Sequence, residues 1–139
     1  MNGVAAEDLT GFSVAGGVDV NGDGIGDLVI SALNGSPQGR DRAGQVFVVY
    51  GRDGASQGRF PAQFELAQLL ARNGGDGGQG FVINGDAALL QAGRQIAVGD
   101  VNDDGLGDVL ITSQSATPDE DRPAAGRTFV LYGRSQEDR

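Results

Sequence analysis

The chain has 139 residues and a formal net charge of -9, and its ten basic residues are all arginine. This length suits one compact domain, and the acidic balance argues against nucleic acids or anionic membranes as partners. Histidine, lysine and cysteine are absent, so the usual general bases, amine nucleophiles and thiols are missing and we expect a protein that is not an enzyme.

The N-terminal residues carry no recognisable targeting signal. They contain neither a charged segment nor an apolar stretch, so we expect no signal peptide in this chain. No apolar run approaches the length of a membrane-spanning helix, so we expect no membrane insertion. The absence of cysteine is compatible with any compartment.

Four short strands are predicted in the first part of the chain, at residues 12–15, 27–32, 45–50 and 80–83. Each is rich in β-branched or aromatic residues and is bounded by glycine, asparagine or proline. Near-continuous apolar runs in the second and third strands predict burial on both faces, as in sheets stacked face to face. Residues 60–72 predict either a short helix from Pro61 or a strand with a turn.

The first strand leads into a nine-residue segment, residues 19–27, which we call the first loop. It has oxygen-bearing side chains at positions 1, 3, 5 and 9 and glycine at position 6. Such a segment can fold around a hard cation, with the backbone carbonyl of position 7 as a further ligand. Oxygen ligands without histidine or cysteine favour Ca²⁺ over zinc or copper.

The same pattern returns at residues 100–108, the second loop. A polar turn is the simplest alternative for one copy, but two copies with equal ligand spacing favour two Ca²⁺ sites. The predicted ligands are Asp19, Asn21, Asp23, Ile25, Asp27, Asp100, Asn102, Asp104, Leu106 and Asp108.

An EF-hand has a loop of related composition, but it ends in a bidentate glutamate at position 12 and continues as a helix. Position 12 is Ile30 after the first loop and Ile111 after the second, each within a strand-like run. The sequence therefore excludes an EF-hand.

Internal repetition extends beyond the loops. Residues 44–52 match residues 126–134, and residues 1–6 match residues 83–88, each at an offset of 82 residues. The chain is therefore a little under two copies of one unit. We place the first unit at residues 9–86 and the second at residues 87–139, without its last strand. Residues 1–4 are a candidate for that strand.

Residues 11–15, the first loop, residues 28–32 and residues 44–51 together resemble the FG-GAP repeat, the blade of the integrin alpha-subunit β-propeller and of its bacterial relatives. The resemblance implies an all-β fold of two four-stranded antiparallel blades that bind Ca²⁺ at the positions named above. It also implies an extracellular or cell-surface location. Family propellers usually have seven blades, so the chain is either a fragment or one of several copies that complete a ring by oligomerisation.

The sequence favours a non-enzymatic, calcium-dependent scaffold for interaction or adhesion, whose partner is another protein or a second copy. The first alternative is a carbohydrate-binding or accessory propeller module of a secreted enzyme. Tyr50 and Tyr132 could stack on a sugar ring, although their equivalent positions favour packing. The second alternative is a structural repeat with no ligand beyond the metal.

Overall fold

The computed structural model describes residues 1–135, which form seven strands in two antiparallel sheets. An all-β fold is thus confirmed. The first sheet contains β1 (Thr10–Val18), β2 (Asp27–Ala32), β3 (Gln45–Val49) and β4 (Gly80–Asn84), and the second contains β5 (Gln95–Gly99), β6 (Asp108–Ser113) and β7 (Arg127–Leu131). The described residues include no helix long and apolar enough to cross a membrane.

Each sheet follows chain order, so every strand pairs with the next one along the sequence. All four strands predicted for the first unit are present. β1 extends beyond its prediction at both ends, and its pairing with β2 shifts register between Thr10 and Val14 and again between Gly16 and Val18. The alternating pattern of the sequence does not reveal such irregularities, because an extra residue in one strand interrupts its period of two.

The N-terminal residues lie against the first unit. Asn2 donates its N–H to the carbonyl of Phe64 (2.8 Å) and accepts the N–H of Leu66 (3.1 Å). The Asn2 side chain also donates to Glu65 Oε1 at 2.7 Å. Within residues 1–135 the second sheet has three strands, and Asn2 instead forms a bridge with Glu65. That residues 1–4 supply a fourth strand to a neighbouring unit stays a prediction. The division into units at residues 86 and 87 stays a prediction.

The main core lies between the two sheets. Val29 and Val48 of the first sheet and Val109 of the second are completely buried there, and Ile111 is 2% exposed. Stacked sheets were predicted, and burying the facing valine and isoleucine side chains stabilises the stack by the hydrophobic effect.

A second core covers part of the opposite face of the first sheet. Residues 60–70, which we call the cover segment, place Phe64 and Leu66 against Phe47 and Val49. The cover segment contains a 3-10 turn at Leu66–Leu69. β3 is therefore buried on both faces as predicted.

β2 is buried on both faces only in part. Leu28, on the face that the cover segment only partly covers, remains 39% exposed. The prediction that this strand is buried on both faces is thus wrong at Leu28.

Candidate metal centre

The two predicted loops connect equivalent strands, β1 to β2 and β5 to β6. The glycine at position 6 adopts a left-handed conformation, with φ of 83° at Gly24 and 84° at Gly105. Position 4 is also left-handed, with φ of 76° at Gly22 and 61° at Asp103. Glycine and aspartate both tolerate this region, so the two loops reach the same shape with different residues.

In the first loop the acidic side chains turn inward and accept hydrogen bonds from the loop backbone. Asp19 accepts the N–H groups of Gly22 and Gly24, both at 2.7 Å. Asp23 accepts the Ile25 N–H at 2.8 Å, and its other oxygen accepts a hydrogen bond from Asn21 Nδ2 at 3.0 Å. The structure therefore brings positions 1, 3 and 5 together through one hydrogen-bond network.

The second loop repeats this network. Asp100 accepts the Gly105 N–H, Asp104 accepts the Leu106 N–H, and Asn102 Nδ2 donates to Asp104, each at 2.8 Å. The Gly105 N–H is the main cause that lowers the pKa of Asp100. The two loops differ only at positions 4 and 7, so these two positions do not determine the shared network.

The aspartate at position 9 lies behind each loop and is completely buried. Asp27 accepts the Val20 N–H at 2.7 Å and the Gly51 N–H at 2.8 Å. Burial raises the pKa of Asp27, and the charges of Asp23 and Asp19 add to this, whereas the hydrogen bonds from Gly51 and Val20 oppose it.

Asp108 occupies the same place in the second unit. It accepts the Val101 N–H at 2.8 Å and the Gly133 N–H at 2.9 Å. Position 9 thus ties its loop to the end of the third strand of its own unit. The sequence reasoning missed the two glycine donors, Gly51 and Gly133, although a Tyr-Gly-Arg signal follows the third strand in both units.

No loop carboxylate is paired with an arginine among the described residues. The two ion pairs found there join Arg42 to Asp41 and Arg122 to Asp119, and all four residues lie outside the loops. Burying a carboxylate without a cation is costly. Among the described residues, the hydrogen-bond donors to the loop carboxylates are backbone N–H groups and the Asn21 and Asn102 side-chain amides.

The donor chemistry of both loops fits Ca²⁺, because every predicted ligand supplies oxygen. A carboxylate oxygen that accepts one amide hydrogen bond also keeps a lone pair for a cation. Within residues 1–135, however, no three acidic, histidine or cysteine side chains converge as a ready-made metal site. The predicted ligands are neighbours in each loop, but their carboxylates point toward the loop amides.

The two loops are also in direct contact. The Gly107 N–H, between two predicted ligands of the second loop, donates to the Asp19 carbonyl at 2.7 Å. The Arg134 N–H donates to the Val20 carbonyl at 3.0 Å. Loop backbone therefore forms part of the contact between the units, which the repeat pattern alone did not predict.

The two tyrosines differ in their surroundings. Tyr50 is 4% exposed and packs edge to face against Phe81, with 6.1 Å between ring centroids. Tyr132 follows β7 and is 58% exposed. Only Tyr132 could therefore present its ring to a sugar, while Tyr50 packs in the core.

Residues 10–49 and residues 92–131 each match the FG-GAP repeat family. Together these segments make up more than half of the chain, and each contains one loop with the strands on either side. The chain belongs to the FG-GAP repeat family. The resemblance stated from the sequence motifs is thus confirmed, and the three strands of each matched segment lie in one sheet.

The FG-GAP chain is also similar to phosphatidylinositol-glycan-specific phospholipase D from several mammals. It is 32% identical to the Rattus norvegicus protein over 123 residues, 88% of this chain and 13% of that protein. Identity is 32% over 120 residues with the Mus musculus protein and 30% over 118 residues with the Homo sapiens protein, in both cases 85% of this chain and 12% of the relative. The chain thus corresponds to about one eighth of the length of these enzymes.

Proposed function

We propose that this FG-GAP chain is a calcium-binding β-propeller scaffold, extracellular or at the cell surface, whose role is interaction or adhesion rather than catalysis. Its partner is another protein or a second copy of the chain. The observation that carries the proposal is the duplicated loop. Both copies keep the same inward-facing oxygens and the same completely buried aspartate at position 9, and no arginine within residues 1–135 forms an ion pair with them.

The energetic role of calcium follows from this arrangement. An ion bound in each loop would offset the repulsion among three carboxylates and fix the connection between neighbouring strands. Extracellular modules hold calcium with a Kd of about 10⁻⁴ to 10⁻³ M. At about ten times the Kd, each site would add about 1.4 kcal/mol to the free energy of unfolding.

Thermal unfolding with calcium and with excess chelator tests this proposal. Two sites would stabilise the chain by about 3 kcal/mol, which corresponds to roughly 10 °C in melting temperature. Asp23→Asn and Asp104→Asn should each remove about half of the calcium-dependent shift. Asp76→Asn is the matched control, because it makes the same charge change at an exposed aspartate outside both loops.

An unchanged melting temperature on chelation would contradict the proposal. So would an equal loss of the shift in Asp76→Asn and the two loop variants, because that result would indicate a general charge effect.

An accessory module of a larger enzyme is the second candidate, and the relatives favour it. They are named as phospholipases and are about eight times as long as the matched segment. In such a context the chain could bind carbohydrate through the exposed Tyr132 ring. Glycan-array binding that persists in chelator and is lost in Tyr132→Ala would support this function. If no glycan binds, the calcium-binding scaffold is the function that remains.

A further inference from the structure

Two exposed apolar patches lie on the outer faces of the two sheets. The first patch contains Val14 and Leu28 of the first sheet, which are 65% and 39% exposed. The second patch contains Val130, 44% exposed, beside the half-buried Leu110 and the exposed Ala97 of the second sheet. Strand pairing aligns Ala97, Leu110 and Val130 in one row across β5, β6 and β7.

The repeat identifies what each residue of the second patch corresponds to inside the molecule. Val130 is equivalent to Val48, and Leu110 to Val29. Both valines of the first unit are completely buried against the second sheet. The second patch is therefore the counterpart of a surface that another sheet already covers within this chain.

The first patch is the counterpart of the other side of that interface. Leu28 is equivalent to Val109, which is completely buried between the sheets. Val14 pairs with Ile30 as Ile96 pairs with Ile111, so Val14 is equivalent to Ile96. The two outer faces of the stack thus expose one half of the internal interface and, beside the cover segment, part of the complementary half.

A hydrogen bond supports this equivalence. Ser13 donates its N–H to Ser31 Oγ at 3.0 Å, and Gln95 donates its N–H to Thr112 Oγ1 at 3.1 Å, so Gln95 takes the place of Ser13. In the internal interface the Ser13 hydroxyl accepts the Ile96 N–H at 3.0 Å. The exposed Gln95 side chain is therefore placed to accept a backbone N–H near Val14 of another sheet.

The outer faces around the two patches lack charged strand residues. The strand residues that face outward around them are uncharged: Val14, Gly16, Leu28, Ile30, Gln95, Ala97, Leu110, Thr112, Thr128 and Val130. The chain as a whole has a net charge of -9, which makes copies repel one another. An uncharged face adds nothing to this repulsion where two copies meet. The core under the cover segment includes β3 and also Ile30 and Ala32 of β2, so contact with another copy is possible mainly over β1 and the Leu28 end of β2.

We propose that a second copy of the chain docks its first patch on the second patch of this copy, in a head-to-tail contact that repeats the part of the internal interface in which β1 meets β5. This inference rests on the scaffold function proposed above and specifies its self-association. Head-to-tail contacts give a ring where the rotation closes and a filament where it does not.

Crosslinking tests the contact cleanly, because the chain contains no cysteine. Val14→Cys and Gln95→Cys are prepared as separate, differently tagged chains and treated with a short bis-maleimide. Head-to-tail docking predicts a crosslinked dimer in the mixture and none in either variant alone. Gln95→Cys mixed with Ala55→Cys, a substitution in an exposed loop, is the matched control.

A further variant probes the apolar contact itself. Val130→Asp in the Gln95→Cys chain buries a charge in the interface and should lower the crosslinked yield by roughly tenfold or more. Circular dichroism checks that this variant folds. If it does not fold, Thr128→Arg, a charge on the same outer face, replaces Val130→Asp in the test.

Dimers in the single-variant samples, or a yield in the mixture no higher than in the control, would overturn the proposal. The experiment is run with calcium and with chelator. Crosslinking reports the contact and the melting temperature reports calcium binding, so either proposal can fail while the other stands.

Discussion

At the scale of single residues, the loops are determined by a few side chains and by backbone conformation. The aspartates at positions 1 and 5 were predicted as metal ligands, but the hydrogen bonds that they accept from loop amides were not predicted. The left-handed Asp103 was not predicted, because a short polar side chain tolerates that conformation without requiring it. The Gly51 and Gly133 donors were also missed, since they lie 24 and 25 residues from the aspartates that accept their hydrogen bonds.

Gly24→Ala should destabilise the chain by about 1–2 kcal/mol, because the left-handed conformation at Gly24 is unfavourable for alanine. A methyl group there would contact nothing within 4 Å, so the cost comes from the backbone alone. Gly99→Ala, also in open space but without a positive φ, should instead be neutral or stabilising. Chemical denaturation in chelator measures both, and equal effects would contradict the account of position 6.

Asp27→Asn should destabilise the chain by about 1–3 kcal/mol even without calcium. The aspartate accepts two backbone N–H groups, and an asparagine amide has only one acceptor oxygen, so one buried donor loses its partner. Urea unfolding in chelator compares this variant with Asp76→Asn, which makes the same charge change in an exposed loop. A variant as stable as the control would show that the two hydrogen bonds contribute little.

At the scale of elements, the strands were predictable and the cover segment was not. The predicted strands have short β-branched runs between turn residues, and this local signal suffices to place them. Residues 60–70 carry an apolar pattern that suits either a helix or a strand with a turn. Their conformation depends on packing against β3, a contact that no local pattern encodes.

Leu66→Ala should lower the free energy of unfolding by about 2–4 kcal/mol, because Leu66 is completely buried in the second core. Leu89→Ala is the matched control, since this leucine is 57% exposed and its truncation should cost less than about 0.5 kcal/mol. Urea unfolding of both variants provides the comparison. Similar losses for both would mean that the cover segment adds little to the stability of the first sheet.

At the scale of the whole molecule, the stacking of two sheets followed from the repeat and from the doubly buried strands. The repeat did not predict that the cover segment covers part of the first sheet. This cover makes the two outer faces of the stack unlike each other. The number of blades in a complete assembly stays a prediction. A repeat specifies how one unit contacts the next, whereas closure depends on the rotation between units, which the sequence does not encode locally.

The central claim is that both loops bind calcium. Isothermal titration of the purified chain with calcium tests it most directly, with Asp23→Asn, Asp104→Asn and the double variant beside the original sequence. We predict two ions for each chain, one for each single variant and none for the double variant. No heat of binding at millimolar calcium, or a stoichiometry that the loop variants leave unchanged, would contradict the claim.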